Sequence, residues 1–188
     1  MRLVLASRNP HKVREFARLL EGHDVVSLPD EVQLPPETAD TFAGNALPKA
    51  RTAARALGVP AIADDSGIES EALGGAPGVR SARFAGENAT DAENLERLCA
   101  EAPPGSGLAY VCALAYVDGD GEQLFEGRCT GTMAPDARGE RGFGYDPVFL
   151  PDDGDGDRTM AELDDAAKDA ISHRGRAARA LLAWLDRD

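Results

Sequence analysis

Two adjacent aspartates, Asp64 and Asp65, follow the apolar residues 61–63 and precede Ser66 in the stretch "AIADDSG". If they close a strand, their carboxylates point to opposite sides of the sheet, because side chains alternate along a strand. A carboxylate where a strand ends in an α/β sheet lies where ligands usually bind. Together with Glu37 it would supply the hard oxygen ligands that Mg²⁺ takes alongside phosphate oxygens. The alternative is that both aspartates form a turn and cap a helix in "SGIESEAL".

A second candidate is the segment "ASRNPHK", residues 6–12, where a strand gives way to a helix. The backbone N–H groups at such a helix N-terminus attract anions. Ser7 and Asn9 would add short polar groups, and Lys12 a positive charge in the first turn. A lysine in that position opposes the helix dipole unless an anion lies between them. The alternative is that Asn9 caps the helix and Lys12 is solvated.

The stretch "GFGYDP", residues 142–147, places two aromatic side chains among glycines and ahead of a proline. A packed core strand seldom contains glycines at such positions. A ring left accessible by its glycine neighbours can stack on a base. The alternative is a turn anchored by two aromatic side chains.

Three cationic or hydrogen-bonding side chains, Lys168, His173 and Arg174, lie close together in "KDAISHRG", residues 168–175. In an acidic chain, three donors in one segment indicate an anion or the polar edge of a base as ligand. The alternative is that Ser172 caps the last helix and that His173 and Arg174 are surface residues.

The hydrophobic spacing predicts the elements that must position these residues. Helices are expected at 9–22, 41–58, 92–102 and 159–188, the last broken at residues 172–175. Pro48 should kink the second helix or displace its start. Strands are expected at 2–7, 24–28 and 60–64, and a hairpin at 107–134 with "DGDG" as its turn, whereas 138–157 is irregular. This order predicts an α/β fold with a mixed sheet in a single domain spanning residues 1–188.

The composition excludes some classes of partner. A net charge of -13 and an isoelectric point near 4.6 argue against duplex nucleic acid, because phosphate contacts need a basic surface. No apolar run is long enough for a membrane span, and the N-terminal residues fit a first strand better than a signal peptide, so we expect a cytoplasmic protein. Cys99, Cys112 and Cys129 are expected to be buried free thiols. Lysine is scarce, with only Lys12, Lys49 and Lys168, so each one is worth inspecting.

Taken together, these segments make the chain resemble the inosine triphosphate pyrophosphatase family. The resemblance covers residues 3–182, and five motifs carry it in the right order: "ASRNPHKVREF", "ETADTFAGNALPKA", "ADDSGIESEALGGAPGVRSARFAG", "GFGYDPVF" and "TMAELDDAAKDAISHRG". It implies an elongated mixed sheet flanked by helices, two lobes with a central substrate cleft, and a homodimer. It also implies hydrolysis of ITP, dITP or XTP to the monophosphate and pyrophosphate by direct attack of water, with Mg²⁺ or, as a substitute, Mn²⁺.

The same resemblance implies roles for individual residues. Asp65 would be a metal ligand and the general base, with Glu37 as a second metal ligand and Ser66 in contact with the substrate. The phosphates would be held by Ser7, Arg8, Asn9, Pro10, His11 and Lys12. The rest of the substrate and its purine would be bound by Phe143, Gly144, Tyr145, Asp146, Lys168, His173 and Arg174.

One departure from the family pattern bears on the metal site. Gly44 stands where the family usually has a glutamate, which would shift metal binding onto Glu37 and Asp65. Two other functions compete with the leading one: a pyrophosphatase of modified pyrimidine triphosphates, and a nucleotide-binding module without catalysis. The carboxylates Glu37 and Asp65 together with Lys12 argue against the second of these.

Overall fold

The structure, a computed structural model, describes residues 1–187 and contains a six-stranded mixed sheet. The strands, in the spatial order β2-β1-β3-β4-β5-β6, are β1 (Arg2–Leu5), β2 (Asp24–Ser27), β3 (Ala61–Ser70), β4 (Gly107–Val117), β5 (Glu122–Met133) and β6 (Phe149–Pro151). Strand β1 pairs in parallel with β2 and β3, whereas β5 and β6 are antiparallel. The predicted α/β fold with a mixed sheet is therefore confirmed, although β6 lies in a segment predicted to be irregular.

Five α-helices accompany the sheet in the described part of the chain: α1 (Pro10–Leu19), α2 (Phe42–Leu57), α3 (Asp91–Glu101), α4 (Asp165–Ile171) and α5 (His173–Leu185). Their ends follow local chemistry, since the Thr41 side chain accepts a hydrogen bond from the Gly44 N–H and Gly58 ends α2 with φ of 65°. Helix α2 begins at Phe42 and runs through Pro48, so the alternative in which this proline displaces the helix start is wrong. Ser172 separates α4 from α5, so the predicted break is confirmed at that residue. Residues 173–175 belong to α5, however, and the helix predicted from residue 159 begins only at Asp165.

Strand β3 is longer than the sequence indicated. It was expected to close at Asp64, but it continues through Asp65 and Ser66 to Ser70. The two aspartates therefore lie inside a strand, and the alternative in which they form a turn and cap a helix is wrong. Ser66 is half-buried on this strand, on the same face as Asp64 because side chains alternate.

The predicted hairpin is formed by β4 and β5. Residues 118–121 connect the two strands, and the Asp118 carboxylate accepts hydrogen bonds from the N–H groups of Asp120 and Gly121, both at 2.9 Å. The Asp118 N–H in turn donates to the Gly121 carbonyl at 3.0 Å. Such a short connection requires antiparallel neighbours, so the "DGDG" signal predicted the turn correctly.

The chain divides into two compact units, each with its own core. Unit 1 contains Met1–Asp65, Cys112–Gly127 and the residues from Arg174 onward, whereas unit 2 contains Ser66–Val111 and Arg128–His173. The core of unit 1 includes Leu5, Phe16, Ile62, Leu114 and Leu181, and that of unit 2 includes Ile68, Leu98, Tyr110, Phe149 and Met160.

Cys112 and Cys129 are buried free thiols as predicted, but Cys99 is exposed on α3, which corrects the prediction for that residue. Within residues 1–187, none of the helices is long and apolar enough to cross a membrane.

Candidate active site

Asp64 lies at the centre of a buried ion network in unit 1. Its Oδ1 atom is 2.9 Å from the Lys12 Nζ atom, and its Oδ2 atom accepts a hydrogen bond from the Arg174 Nε atom at 3.2 Å. Arg174 also donates from Nη1 to the Glu15 Oε2 atom at 3.0 Å. The Asp64 side chain is fully buried, and those of Arg174 and Glu15 are exposed by only 7% and 9%. Two cations and two anions thus compensate one another away from water.

The charges around Asp64 decide its ionisation. Burial alone would raise the pKa of this carboxyl, but the positive charges of Lys12, Arg174 and Lys49 together hold its pKa well below the usual range. Burial would likewise lower the pKa of Arg174, but the nearby carboxylates Glu15 and Asp64 raise it above its ordinary value. Asp64 is therefore a permanent anion, suited to orienting cations and unsuited to moving a proton.

Asp65, the next residue along β3, has a different environment. Its Oδ2 atom accepts a hydrogen bond from the Asn45 Nδ2 atom at 2.9 Å, and Asn45 is fixed by its own hydrogen bonds to the Ala39 backbone. Burial raises the pKa of Asp65, against the lowering effects of Lys49 and Asn45, and the negative charge of Glu37 raises it further. A carboxyl with a raised pKa is a group able to accept a proton. The two neighbouring aspartates are thus electrostatically distinct, as the alternation of side chains predicted.

Two residues of α2, Asn45 and Lys49, contact the two aspartates and were not among the predicted site residues. Lys49 Nζ lies 2.5 Å from the Glu37 Oε1 atom and donates to the Asp64 backbone carbonyl at 2.9 Å. Both residues are buried on α2, where positions four apart share one face. The scarcity of lysine marked Lys49 for inspection, but its partners could not be read from the sequence.

The segment predicted to bind phosphate forms the N-terminus of α1. Asn9 Oδ1 accepts from the N–H groups of His11 and Lys12, at 2.9 and 3.4 Å, and the Asn9 N–H donates to the Ser7 hydroxyl at 3.2 Å. The helix-cap alternative for Asn9 is thus confirmed. The accompanying expectation of a solvated Lys12 is wrong, because its side chain is 17% exposed and is paired with Asp64.

Arg8 is directed toward another loop. Its Nη2 atom donates to the backbone carbonyls of Pro29, Asp30 and Val32, at 3.1, 3.1 and 2.7 Å. These contacts tie the segment after β2 to the start of α1. Pro10 is the first residue of α1, a position at which its missing N–H costs nothing.

In unit 2, the Asp146 carboxylate organises the predicted base-binding residues. Its Oδ1 atom accepts from the Tyr110 hydroxyl at 3.0 Å, and its Oδ2 atom accepts from Lys168 Nζ at 2.7 Å and from the Phe143 N–H at 3.1 Å. Gly142 has φ of 73°, and a Cβ atom there would collide with this carboxylate, so the glycine is required. Lys168 Nζ also lies 5.5 Å from the centre of the Phe143 ring. Phe143, Asp146 and Lys168 therefore form one cluster.

Two further contacts hold the same loop. The Tyr145 hydroxyl donates to the Ser81 carbonyl at 2.7 Å inside the core of unit 2. The Gly144 N–H donates to the Asp91 Oδ2 atom at 3.2 Å, which links the loop to the first turn of α3. Tyr145 thus anchors the loop, as the turn alternative for "GFGYDP" proposed.

His173 and Arg174 are buried, so the alternative that treated them as surface residues is wrong. They are exposed by only 3% and 6%. The imidazole of His173 stacks on the Tyr110 ring, with centroids 4.6 Å apart and 8° between the planes. Arg174, by contrast, contacts Asp64 and Glu15, as described above. The structure therefore separates two neighbours that the sequence treated as one recognition element.

Gly44 lies in the first turn of α2, where a side chain has little room. A Cβ atom there would lie 2.8 Å from both the Ala39 Cβ and the Thr41 Oγ1 atoms. We expect Gly44→Glu to lower the free energy of unfolding by about 1 kcal/mol, because the Thr41 helix cap must move to admit the side chain. Chemical denaturation would measure this. A Gly44→Glu variant as stable as the parent would show that the segment 39–41 adapts freely.

Comparisons with known proteins bear on the whole chain. A family model described as the Ham1 family matches residues 3–184. A dITP/XTP pyrophosphatase of Mycobacterium tuberculosis (strain ATCC 25618 / H37Rv) is 50% identical, over 98% of this chain and 95% of the relative. A dITP/XTP pyrophosphatase of Cutibacterium acnes is 45% identical, over 96% and 94% of the two chains.

Solved structures agree with these relatives. The structure of a HAM1 protein from Coxiella burnetii superposes with a TM-score of 0.85 at 40% identity and covers 100% of both chains. The structure of the Staphylococcus aureus Ham1 protein gives a TM-score of 0.84 at 36% identity, with 100% of this chain and 99% of the other covered. The family resemblance inferred from the five motifs is confirmed, and this chain belongs to the Ham1 family.

Proposed function

We propose that this protein is a pyrophosphatase that hydrolyses the non-canonical purine nucleoside triphosphates ITP, dITP and XTP to the monophosphate and pyrophosphate. The observation that carries the proposal is the environment of Asp65, a buried carboxylate with a raised pKa beside Glu37 and Lys49. The names of relatives at 45–50% identity, dITP/XTP pyrophosphatases, support the same substrate class. A base for water, next to cations that can bind phosphate, is what hydrolysis of a phosphoanhydride requires.

The triphosphate would bind in unit 1 at the start of α1. The N–H groups of a helix N-terminus and its dipole favour an anion there, and Lys12 places a positive charge in the same turn. Asp64 holds Lys12 in place through their contact at 2.9 Å. Lys49 is a further candidate for phosphate binding. Its side-chain partner is the Glu37 carboxylate, and the Glu37 side chain is half-exposed.

The residues present fit a Mg²⁺ ion, for which Mn²⁺ could substitute. Among the described residues no three His, Cys, Asp or Glu side chains form a site that holds a metal unaided. Mg²⁺, however, typically takes one or two carboxylates and completes its shell with water and substrate phosphate oxygens. Glu37 and Asp65 are close enough for the charge of one to raise the pKa of the other, a repulsion that a cation would relieve. When bound, such an ion neutralises phosphate charge and lowers the pKa of water.

The role of Asp65 is then to hold and deprotonate the attacking water. Asn45 fixes one carboxylate oxygen by its hydrogen bond and so orients the carboxylate. Direct attack by water needs an oriented nucleophile and charge neutralisation, and no covalent intermediate with the protein. Ser66, on the same strand, would contact the substrate.

The base would be recognised in unit 2. Phe143 offers a ring for stacking, and His173 and Lys168 offer donors for an oxygen acceptor. Hypoxanthine and xanthine carry a 6-oxo group where adenine carries an amino group, so a donor in the base plane favours the first two. Arg174 donates to Asp64 and Glu15 through two of its five N–H groups, and we assign it to holding Asp64.

We further propose that the enzyme is a cytoplasmic homodimer that acts on the free nucleotide pool and does not bind duplex nucleic acid. The net charge of -13 opposes contacts with a polyphosphate backbone. Analytical ultracentrifugation would test the oligomeric state.

A panel of nucleoside triphosphates tests the proposal. We expect ITP and XTP, in ribose and deoxyribose forms with Mg²⁺, to release pyrophosphate with kcat/KM at least a hundredfold above that for ATP, since a site that hydrogen-bonds the 6-oxo group rejects the amino group strongly. Release of orthophosphate, or efficient turnover of ATP, would contradict it. Preference for a modified pyrimidine triphosphate would indicate a pyrophosphatase of that substrate class. Binding without turnover would indicate a nucleotide-binding module without catalysis.

A further inference from the structure

Tyr110 contacts both His173 and the Asp146 cluster, the two groups proposed to recognise the base. It lies on β4, is exposed by only 7%, and belongs to the core of unit 2. Its ring contacts His173 in the nearly parallel stack described above and also packs on Phe149, with centroids 4.7 Å apart and 34° between the planes. Burial makes these ring contacts dry and close-packed, so the imidazole cannot tilt without opening a gap.

The hydroxyl of Tyr110 fixes the other end of the side chain. It donates to Asp146 Oδ1 at 3.0 Å, while Lys168 and the Phe143 N–H occupy the Oδ2 atom of the same carboxylate. Asp146 is exposed by 3%, so these donors compensate a buried charge. The phenol ring is therefore held at its Cβ atom by the strand and at its oxygen by the carboxylate.

The orientation of an imidazole determines what it can select. A ring N–H donates in the plane of the ring, and hydrogen bonds weaken steeply when the angle departs from linearity. The N–H group of His173 thus distinguishes a base oxygen from an amino group only while the plane of its ring stays fixed. Phosphate binding and water activation depend on residues of unit 1 and do not require that orientation.

We propose that Tyr110 is a specificity-determining positioning residue, whose stacked ring sets the plane of His173 and whose hydroxyl bond to Asp146 is a secondary anchor for that ring. The inference rests on the proposed function, because it refines how the 6-oxo purine is chosen. Selectivity for the 6-oxo group then depends on the stacked rings of Tyr110 and His173 as well as on the His173 N–H donor.

Two substitutions separate the ring from the hydroxyl. Tyr110→Leu removes the stack, and we expect it to lower the ratio of kcat/KM for ITP to that for ATP about tenfold, the effect of one lost directional hydrogen bond. The kcat for ITP should stay within about threefold of the parent, because the groups that activate water are unchanged. Tyr110→Phe keeps the stack and should retain at least half of the parent's selectivity.

A matched control is available on the same strand. Tyr116 is a buried tyrosine of β4 in unit 1 that packs on Trp184 at 5.2 Å and donates to Asp118. Tyr116→Leu should lower thermal stability and leave the ITP to ATP ratio unchanged. Equal loss of selectivity in both leucine variants would mean that general loosening, and not the His173 stack, determines the ratio, which would overturn the proposal.

Nuclear magnetic resonance of the histidines tests the geometry without turnover. The chain has only three histidines, so the imidazole signals are assignable with single His→Gln variants. In the parent and in Tyr110→Phe, the His173 ring protons should be shifted upfield by the stacked ring. If Tyr110→Leu fails to fold, loss of that shift or of selectivity in Tyr110→Phe overturns the proposal.

The failures of the two proposals are distinguishable. If the parent hydrolyses no 6-oxo purine triphosphate, the proposed function fails and the inference on specificity falls with it. If the parent prefers ITP and folded Tyr110→Leu keeps the preference within twofold, only the role of Tyr110 is refuted.

Discussion

Asp65→Asn is expected to lower kcat for ITP by roughly a thousandfold, within the range found for loss of a general base. Its thermal midpoint should stay near that of the parent. The amide has the shape of the carboxylate and can still accept the Asn45 hydrogen bond through its oxygen. It cannot take a proton from water, and it is a poorer ligand for a divalent cation. Loss of turnover without loss of fold is therefore the specific signature of Asp65 as the base.

The stability of Asp65→Asn follows from the same environment of residue 65. Burial raises the pKa of Asp65, so the folded protein holds this charge at a cost in free energy. An amide removes that cost, and the folded state should be as stable as before or more so. Initial rates with saturating ITP and Mg²⁺, together with thermal unfolding, measure both effects.

A matched control is Asp136→Asn, which makes the same chemical change at an exposed residue. It should alter neither rate nor stability. If Asp65→Asn retained more than a tenth of the parent's kcat, another group would have to be the base, and Glu37 would be the first candidate.

The part of the site that sequence predicted consists of residues whose local chemistry is distinctive. Asn9 before Pro10 indicated a helix start, and the glycines around Phe143 indicated a loop with an accessible ring. The adjacent aspartates were assigned to opposite faces from strand alternation alone. Each of these predictions needs only a few neighbouring residues, so a single sequence is sufficient.

What the sequence did not predict depends on contacts between distant residues. Arg174 lies 110 residues from Asp64 and 159 from Glu15, so only the folded chain reveals that the arginine is paired. Strand β3 was predicted too short because Ser66 and Gly67 have low strand propensity, which pairing within the sheet overrides. The scarcity of lysine drew attention to Lys49, but the contacts of Lys49 depend on how α2 packs.

Asp64→Asn should lower the free energy of unfolding by roughly 3–5 kcal/mol, the usual cost of leaving a buried charge without its partner. Lys12 and Arg174 both contact this carboxylate, and the Asp64 side chain is fully buried. Glu15 would still compensate Arg174, but Lys12 would lose the carboxylate partner that it contacts at 2.9 Å. Urea denaturation would measure the difference, provided that the free energy of unfolding falls with urea concentration at the same slope in both proteins.

A double variant distinguishes charge from shape. Lys12→Met removes the cation that Asp64→Asn leaves uncompensated, so the double variant should be more stable than the sum of the two single effects predicts. Asp24→Asn is the matched control, since Asp24 faces Arg2 at 4.0 Å on the surface with both side chains about 70% exposed. An exposed pair of this kind contributes less than about 1 kcal/mol.

The pH dependence of the stability of Asp64→Asn gives an independent check. The folded state lowers the pKa of Asp64, so this group stabilises the protein fully above the ordinary carboxyl pKa of about 4. That contribution is lost as the pH falls below about 4 toward the lowered pKa, because the unfolded chain takes up the proton first. The stability difference between the parent and Asp64→Asn should therefore shrink on acidification. A difference that stayed constant from neutral pH to below pH 3 would mean that packing, and not charge, explains the loss.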